Sequence, residues 1–403
     1  MSRSAYRTVL VCVLLTVGVL GCRQGAPAKI DTGDGGADAV FDDAAPADAT
    51  DDAAPADATD GAAVDAVQTD APPLGLVAVI SNLIPRSLYL QTLAASGTLT
   101  TRAVLPVPEA AQAFTSSVDG RFLYVLGRTV ASLSVDPATA GLTAINESVT
   151  GLSNWAGIAV HPGRQWMILS DNTSGLAVFG LRPDGGIVQP PGAIVTGQVA
   201  SDLTWDPTGK YLFALSCYTD VVTRYAFDAD TGALAVQSPA LPAPDVGPGR
   251  LVFHPSGNTA YMLNIRGQSV TSFAYDAATG TLAQPETASI LASASPSSSA
   301  FCYPGHLVVH PSGRFAYATT DQGAGEVAIM SIAASGRLTV VDHEDYFLFR
   351  GADALAIDPT GTFLLVGDTS GGLQVFKIDQ GDGRLTYVTF GLQGVLALAF
   401  LPG

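Results

Sequence analysis

A short turn signal recurs along the chain and constrains the fold more than any other feature. Each copy ends in glycine, most copies carry His or Asp before Pro, and the closing glycines are 43, 46, 48, 56, 48 and 42 residues apart. This period is typical of β-repeats and is too long for most helical repeats. The copies end at Gly120, Gly163, Gly209, Gly257, Gly313, Gly361 and Gly403. From residue 75 onward the chain is therefore one structural unit repeated.

Two kinds of turn and the strands between them define the repeated unit. In one unit the turn Asp206–Gly209 precedes the alternating strand Tyr211–Leu215, and the loop Asp228–Gly232 follows the next strand. Asp closes such loops through its side chain, and glycine adopts the positive φ that the turn requires. Each unit therefore predicts four antiparallel strands, A to D in chain order, which is the pattern of a propeller blade.

The two ends of the chain complete one unit between them. Leu76–Ser81, Ser87–Leu93 and Leu99–Leu105 predict strands B, C and D of a first blade, and Val395–Phe400 supplies its strand A. Such closure removes the open sheet edges that would otherwise pair with other chains. We predict an all-β, seven-bladed β-propeller over residues 75–403, with six or eight blades as the alternatives.

The first 21 residues are predicted to be a signal peptide. Two arginines precede the apolar run Val9–Leu20, which is too short to span a bilayer. The box Val19–Cys22 resembles the bacterial lipoprotein cleavage site, which implies that Cys22 is lipidated and becomes the mature N-terminus. An ordinary cleaved signal is the alternative. Arg23, rather than Asp, follows the cysteine, and within this resemblance that favours the outer membrane.

Residues 22–74 are predicted to be a disordered tether. The segment consists almost entirely of Ala, Asp, Gly, Pro and Thr, and Arg23–Pro73 contains twelve Asp. A self-repelling, Pro-rich chain of this kind cannot build a core and stays extended. The whole chain has a formal net charge of −17, which would repel nucleic acid. We expect a monomer anchored by its lipid in the bacterial cell envelope, facing either the periplasm or the cell surface.

The repeat motifs resemble those of a known family. The turn His310–Gly313, the aromatic strand Phe315–Ala318 after it and the Asp-x-x-Thr-Gly-x-Leu return at Asp276–Leu282 are similar to the repeats of seven-bladed lactonases. That family includes bacterial 6-phosphogluconolactonases and fungal carboxymuconate cyclases. The resemblance covers residues 75–403 and implies a site where the A strands enter the central channel.

The positions of the family's site residues, as the resemblance aligns them, hold other residues in this chain. A His-Pro-His stretch aligns with Asn154-Trp155-Ala156, a Pro-Arg-His stretch with Pro248-Gly249-Arg250, and an Asn-Glu pair with Asn264-Ile265. Lactone opening needs a general base to activate water and a cation to hold negative charge. These positions retain a cation in Arg250 and no base, so we expect a degenerate or rearranged site.

The face that carries the B–C and D–A loops, called here the loop-rich face, collects the candidate site residues. Mixed charges with an aromatic ring suit a small polar ligand, although the charges could instead pair with one another across the channel mouth. His306 and Asp353 are the candidate catalytic bases. The candidate ligand-binding residues are Trp155, Asp202, Arg250, His306, Arg350 and Asp353.

The remaining histidines and cysteines have structural explanations. His161, His254 and His310 occupy the same turn register as Asp206 and Asp358, so we predict that they cap turns. Export would place the cysteines in an oxidising compartment, where thiols can pair. Because Cys217 and Cys302 both fall on the loop-rich face, they are predicted either to form a disulfide or to remain separate thiols.

Two functions remain open from the sequence. The first is a non-catalytic scaffold that binds a small polar molecule, a glycan or a protein through the loop-rich face. The alternative is a lactone hydrolase similar to 6-phosphogluconolactonase, in which Arg250 and Arg350 hold an anionic substrate and His306 or Asp353 is the base. The sequence contains no metal-binding or cofactor-binding motif, so neither a metal nor a cofactor is expected.

Overall fold

A computed structural model of the chain describes residues 75–401 with several gaps, and residues 1–74 lie outside the described part. The predicted signal peptide, Cys22 and the tether therefore have no structural account. The described part of the chain contains no helix that could cross a membrane. The gaps are residues 82–85, 108–110, 112, 151–154, 172–174, 190, 197–198, 243–244, 292–301, 303–304, 320–325, 346–353 and 370–371.

The chain folds into seven four-stranded antiparallel sheets, which confirms the predicted propeller with seven blades. The strands of blades 1 to 3 are β28 (Val395–Leu401), β1 (Gly75–Ser81), β2 (Ser87–Leu93), β3 (Leu99–Pro106); β4 (Ala113–Ser116), β5 (Phe122–Leu126), β6 (Thr129–Asp136), β7 (Gly141–Val149); and β8 (Trp155–Val160), β9 (Trp166–Asp171), β10 (Gly175–Gly180), β11 (Ala193–Thr196).

Blades 4 to 7 repeat the same order of strands A, B, C and D. Their strands are β12 (Asp202–Trp205), β13 (Tyr211–Ser216), β14 (Val221–Asp228), β15 (Ala233–Pro242); β16 (Pro248–Phe253), β17 (Thr259–Asn264), β18 (Ser269–Asp276), β19 (Thr281–Ser289); β20 (His306–Val309), β21 (Phe315–Thr319), β22 (Glu326–Ile332), β23 (Leu338–Asp345); and β24 (Ala354–Ile357), β25 (Phe363–Gly367), β26 (Leu373–Ile378), β27 (Leu385–Phe390).

The A strands form a closed ring around the central channel. Each A strand contacts those of the two neighbouring blades, and β24 of the last blade contacts β28 of the first. Within blade 1, β28 pairs antiparallel with β1, so that Val77 lies opposite Phe400 and Val79 lies opposite Leu398. The two ends of the described chain therefore close the ring, as the sequence predicted.

The hydrophobic core lies between the blades. The B strands are buried throughout in several blades, whereas the outer D strands carry many exposed residues. Between blades 6 and 7, for example, Tyr317 packs in one cluster with Val366 and Phe376. Burial of such side chains stabilises the fold by about 25 cal/mol for each Å² of apolar surface removed from water. Each blade thus needs its neighbours on both sides.

The turn histidines join neighbouring blades, which confirms their predicted structural role. The Nε2–H of His310 donates to the carbonyl oxygen of Gly361 at 2.8 Å, and its Nδ1 accepts from the Ser312 N–H at 3.1 Å. His161 and His254 make the same contact with the turn glycines of the blades that follow them, at 3.0 and 2.9 Å. Asp206 and Asp358 instead cap their own turns.

Candidate active site

Two of the predicted residues meet at the mouth of the channel. Asp202 begins β12 of blade 4, and Arg250 is the third residue of β16 of blade 5. The Nε atom of Arg250 lies 4.0 Å from Oδ2 of Asp202. Their side chains are 38% and 19% exposed, so the pair is partly open to solvent. A distance of 4.0 Å is too long for a hydrogen bond, so the two groups attract each other through their charges.

A β-bulge positions the Arg250 side chain. The register between β16 and β17 shifts between Pro248 and Arg250, so that Gly249 is the extra residue. A bulge of this kind bends its strand and changes the direction of the next side chain. A Cβ at Gly249 would lie only 2.0 Å from Cδ1 of Ile265, so this position admits glycine alone without rearrangement. Among the described residues, no acceptor lies within hydrogen-bond distance of Arg250 Nε.

The surroundings of Asp202 favour its protonated form. Desolvation at the channel mouth raises the pKa of the Asp202 carboxyl, and this effect outweighs the opposing influence of the Arg250 guanidinium and the Leu203 N–H. A carboxylate with a raised pKa is a stronger base than an exposed one. Blade 3 also comes close at this point, because a Cβ at Gly157 would lie 3.4 Å from Cα of Asp202. The carboxylate is thereby held at a crowded, partly dry position.

Of the other predicted site residues, the structure places His306 and the backbone of Trp155. His306 begins β20, is partly buried, and donates its backbone N–H to Thr319 Oγ1 at 3.2 Å. Trp155 begins β8, where it pairs with Asp171, and nothing is described of its side chain. Arg350 and Asp353 lie outside the described residues, so the structure does not place them. Among the described residues, Asp202 is the carboxylate that pairs with Arg250, and the sequence had suggested it only as a ligand-binding residue.

A set of buried polar residues at the ends of the B strands was missed by sequence reasoning. Two side chains of the set bond to the start of an A strand: Ser81 Oγ–H donates to the Gln393 carbonyl before β28 at 3.0 Å, and Thr319 Oγ1 accepts from the His306 N–H of β20 at 3.2 Å. Aligning the repeats on their turns would have revealed this signal, because a polar residue closes an otherwise apolar strand in blade after blade. Its members are Ser81, Asp171, Ser216, Asn264, Thr319 and Asp368.

The two propeller cysteines form a disulfide. Cys217 and Cys302 are bonded, with their Cα atoms 6.0 Å apart, and 85 residues separate them in the sequence. Cys217 is fully buried in a cluster with Ile265, Ile290 and Leu307. The bond therefore links the B–C loop of blade 4 to the segment that leads into blade 6, across the start of blade 5. In the part of the chain that the structure describes, no cluster of His, Cys, Asp or Glu is arranged to hold a metal ion.

The fold and the channel mouth define a class of protein: a closed seven-bladed β-propeller with a carboxylate and a guanidinium facing each other at one end of its channel. Residues 76–395 match the family described as Lactonase, 7-bladed beta-propeller. The protein belongs to this family, as the resemblance implied. None of the curated proteins compared with the chain matches it.

Several solved structures share the fold. The periplasmic gluconolactonase of Pseudomonas aeruginosa is 20% identical with a TM-score of 0.72, over 81% of this chain and 99% of that one. A Bacteroides uniformis protein provisionally assigned as a 6-phosphogluconolactonase is 22% identical with a TM-score of 0.72, over the same shares. A Lactobacillus plantarum protein is 20% identical with a TM-score of 0.67, again over 81% and 99%. At these identities the likeness establishes the fold alone.

Proposed function

We propose that the protein is a lactone hydrolase, which is the alternative that the sequence left open, rather than a non-catalytic scaffold. Membership of a lactonase family supports a hydrolase. The observation that carries the proposal is the Asp202–Arg250 pair at the channel mouth, where a carboxyl of raised pKa faces a guanidinium. These two groups supply the base and the cation that lactone opening requires.

In the proposed reaction, Asp202 acts first as a base and then as an acid. The ionised carboxylate takes a proton from a water molecule as the water oxygen attacks the lactone carbonyl carbon. The Arg250 guanidinium stabilises the negative charge that develops on the carbonyl oxygen. The bond between the carbonyl carbon and the ring oxygen then breaks, and protonated Asp202 returns its proton to the departing ring oxygen. The products are a carboxylic acid and an alcohol on one open chain.

The substrate class we propose is an unphosphorylated sugar lactone. Phosphate groups are commonly bound by several cations or by bidentate arginine contacts. At the described part of the mouth, Arg250 faces Asp202, while the neighbouring Arg266 guanidinium is bonded to Asp220. A neutral lactone ring requires less positive charge than a sugar phosphate does. The periplasmic gluconolactonase of Pseudomonas aeruginosa, which shares the fold, supports the same substrate class.

We propose that the reaction takes place in the cell envelope. The signal-like residues 1–21, the lipoprotein-like box ending at Cys22 and the acidic segment that follows support export and lipid anchoring. An enzyme in that location would meet sugar lactones formed by oxidation outside the cytoplasm, and it would not meet cytosolic sugar phosphates.

Turnover of defined lactones tests the proposal. Purified protein is mixed with glucono-δ-lactone, 6-phosphogluconolactone or an aliphatic lactone, and acid release at neutral pH is compared with spontaneous hydrolysis. We expect turnover of glucono-δ-lactone and little acceleration of the phosphorylated ring. A folded protein, shown by a cooperative melt, that accelerates none of these lactones would contradict the proposal and favour the binding scaffold.

A further inference from the structure

The loop that joins β13 to β14 in blade 4, residues 217–220, contacts the starts of two neighbouring A strands. We call it the positioning loop. Its first residue, Cys217, and its last, Asp220, each bond to a segment that leads into one member of the Asp202–Arg250 pair. A single short loop is thus connected to both halves of the proposed site, although the two halves belong to different blades.

The first end of the loop holds the Asp202 side of the pair. The Cys217 N–H donates to Ser201 Oγ at 3.2 Å. The Ser201 hydroxyl in turn donates to the Leu215 carbonyl at 3.1 Å, and the Ser201 N–H donates to the same oxygen at 2.7 Å. Because Ser201 is the residue directly before Asp202, this end of the loop fixes the backbone from which the carboxylate projects.

The other end of the loop holds the Arg250 side. Asp220 Oδ1 accepts from the Gly247 N–H at 2.6 Å and also from the Arg266 guanidinium. The carbonyl of Gly247 accepts from the Ile265 N–H at 2.7 Å. The peptide units of Gly247 are therefore held on both sides, three residues before Arg250. Asp220 is the part of this arrangement that comes from blade 4.

The backbone of Asp220 and the disulfide show how firmly this loop is held. Asp220 has a φ of +57°, in the left-handed region that residues other than glycine rarely adopt. Such a conformation persists where the surrounding contacts determine it. Cys217 is fully buried and bonded to Cys302, which ties the first end of the loop to the segment before blade 6. The loop is anchored at both ends.

We propose that Asp220 is a positioning residue that sets the separation of Asp202 and Arg250, and that the Cys217–Cys302 disulfide locks the loop on which it lies. The proposal rests on the proposed lactone hydrolysis for its effect on rate. Asp220 acts through Gly247 and the bulge at Gly249, so its loss would let Arg250 move away from Asp202. Misplacement of a catalytic group by about 1 Å can lower a rate by about 100-fold.

The test uses the full chain with Asp220→Ala, Asp220→Asn and a matched control, Asp276→Ala. Asp276 caps an exposed turn of blade 5 at the face opposite the site, where it accepts from Thr279 and Ala278 as Asp220 does from its own partners. We expect Asp220→Ala to lower kcat with glucono-δ-lactone by about 10-fold to 100-fold with little change in KM. Asp220→Asn, which keeps an oxygen acceptor for Gly247, should recover part of that loss. Asp276→Ala should leave kcat unchanged.

A pH profile separates positioning from simple destabilisation. When Arg250 moves away, the pKa of Asp202 rises further, so the acidic limb of kcat/KM for Asp220→Ala should move to higher pH. The Cys217→Ser/Cys302→Ser double variant should likewise lower kcat and move the acidic limb of kcat/KM to higher pH. Equal kcat values and coincident pH profiles for Asp220→Ala and Asp276→Ala would overturn the proposal.

A second measurement distinguishes failure of this proposal from failure of the proposed function. If the wild-type protein hydrolyses no lactone, the proposed function fails. The positioning role is then decided by urea unfolding of three variants: Asp220→Ala, Arg250→Gln and the variant that combines these two substitutions. Coupling between the two substitutions is expected if Asp220 holds the Arg250 side chain near Asp202. Additive effects on the free energy of unfolding would overturn the positioning role.

Discussion

Asp202 of blade 4 and Arg250 of blade 5 place Oδ2 and Nε 4.0 Å apart, although the two residues are 48 positions apart in the sequence. That separation equals one repeat, so the two residues meet because the A strands of adjacent blades lie side by side in the ring. Neighbouring blades present equivalent strand ends to the same mouth, so one acidic and one basic residue in adjacent repeats place a carboxylate opposite a guanidinium.

The stability of the protein should depend on pH because the pKa of Asp202 is raised in the folded chain. A carboxyl whose pKa is higher in the folded chain than in the unfolded chain binds its proton more tightly when folded. The free energy of unfolding therefore falls as the pH rises from the unfolded pKa through the folded pKa. Ionised Asp202 therefore destabilises the fold at neutral pH. Asp202→Asn should raise the urea midpoint at pH 7.5, and the difference from wild type should shrink as the pH falls toward about 4.

Asp230→Asn is the control for this prediction. Asp230 lies in an exposed turn of blade 4, so its substitution should leave the pH dependence of the urea midpoint unchanged. An Asp202→Asn variant that is less stable than wild type at pH 7.5 would show that attraction to Arg250 outweighs desolvation.

A side chain at Gly249 should disturb the site. In Gly249→Ala the new Cβ would lie 2.0 Å from Ile265 Cδ1, so the buried Ile265 side chain must leave its rotamer, at a cost of about 1 kcal/mol. The bulge that directs Arg250 would also shift, so lactone turnover should fall. Adding Ile265→Ala makes room for the Cβ, and the double variant should be more active than Gly249→Ala alone. Strictly additive losses in kcat would contradict the contact.

Much of the fold could be predicted from the sequence because every blade repeats the same turns and strand pattern. The spacing of the turns predicted seven blades, and the strand bounds Ser87–Leu93 agree with the structure in full. The pairing of β28 with β1 followed from the missing strand A of the first unit. Local turn chemistry and a period-two pattern are enough to specify such elements.

The site was harder to predict because it depends on relationships between blades. The sequence put Asp202 and Arg250 at the same mouth, but it could not show that a bulge at Gly249 turns the arginine. It also could not show that burial raises the pKa of Asp202, and the choice of His306 or Asp353 as the base stays a prediction. The disulfide remained one of two alternatives because its 85-residue span depends on the path of a loop.

The histidine turns should contribute to stability without affecting turnover. His310 is buried, and His310→Ala removes its bond to the Gly361 carbonyl and leaves the Ser312 N–H without its acceptor, while the Gly361 oxygen keeps the Gln380 Nε2 donor. A loss of about 1–3 kcal/mol in the free energy of unfolding is expected. His343→Ala, at a partly buried histidine on the outer strand β23, should cost less. Urea unfolding measures the loss of stability in both variants. A larger loss for His343→Ala than for His310→Ala would contradict the proposed stabilising role of the turn histidines.

Removal of the last strand should disrupt the ring. A chain that ends at residue 394 lacks β28, so β1 loses its partner and blade 1 exposes an edge. We expect the truncated protein to melt without a sharp transition and to self-associate, as followed by circular dichroism and light scattering. A cooperative, monomeric melt at the wild-type temperature would show that closure by β28 is dispensable.

The kcat of Asp202→Asn with glucono-δ-lactone tests the central claim most directly. Asparagine keeps the size of the side chain and cannot accept the proton of the attacking water, so kcat should fall by about 100-fold to 10,000-fold while the variant remains folded. Arg250→Gln should lose about 100-fold to 1,000-fold, and the exposed control Arg337→Gln should match wild type. Asp202→Asn with wild-type turnover would contradict the account, because the base would then lie elsewhere.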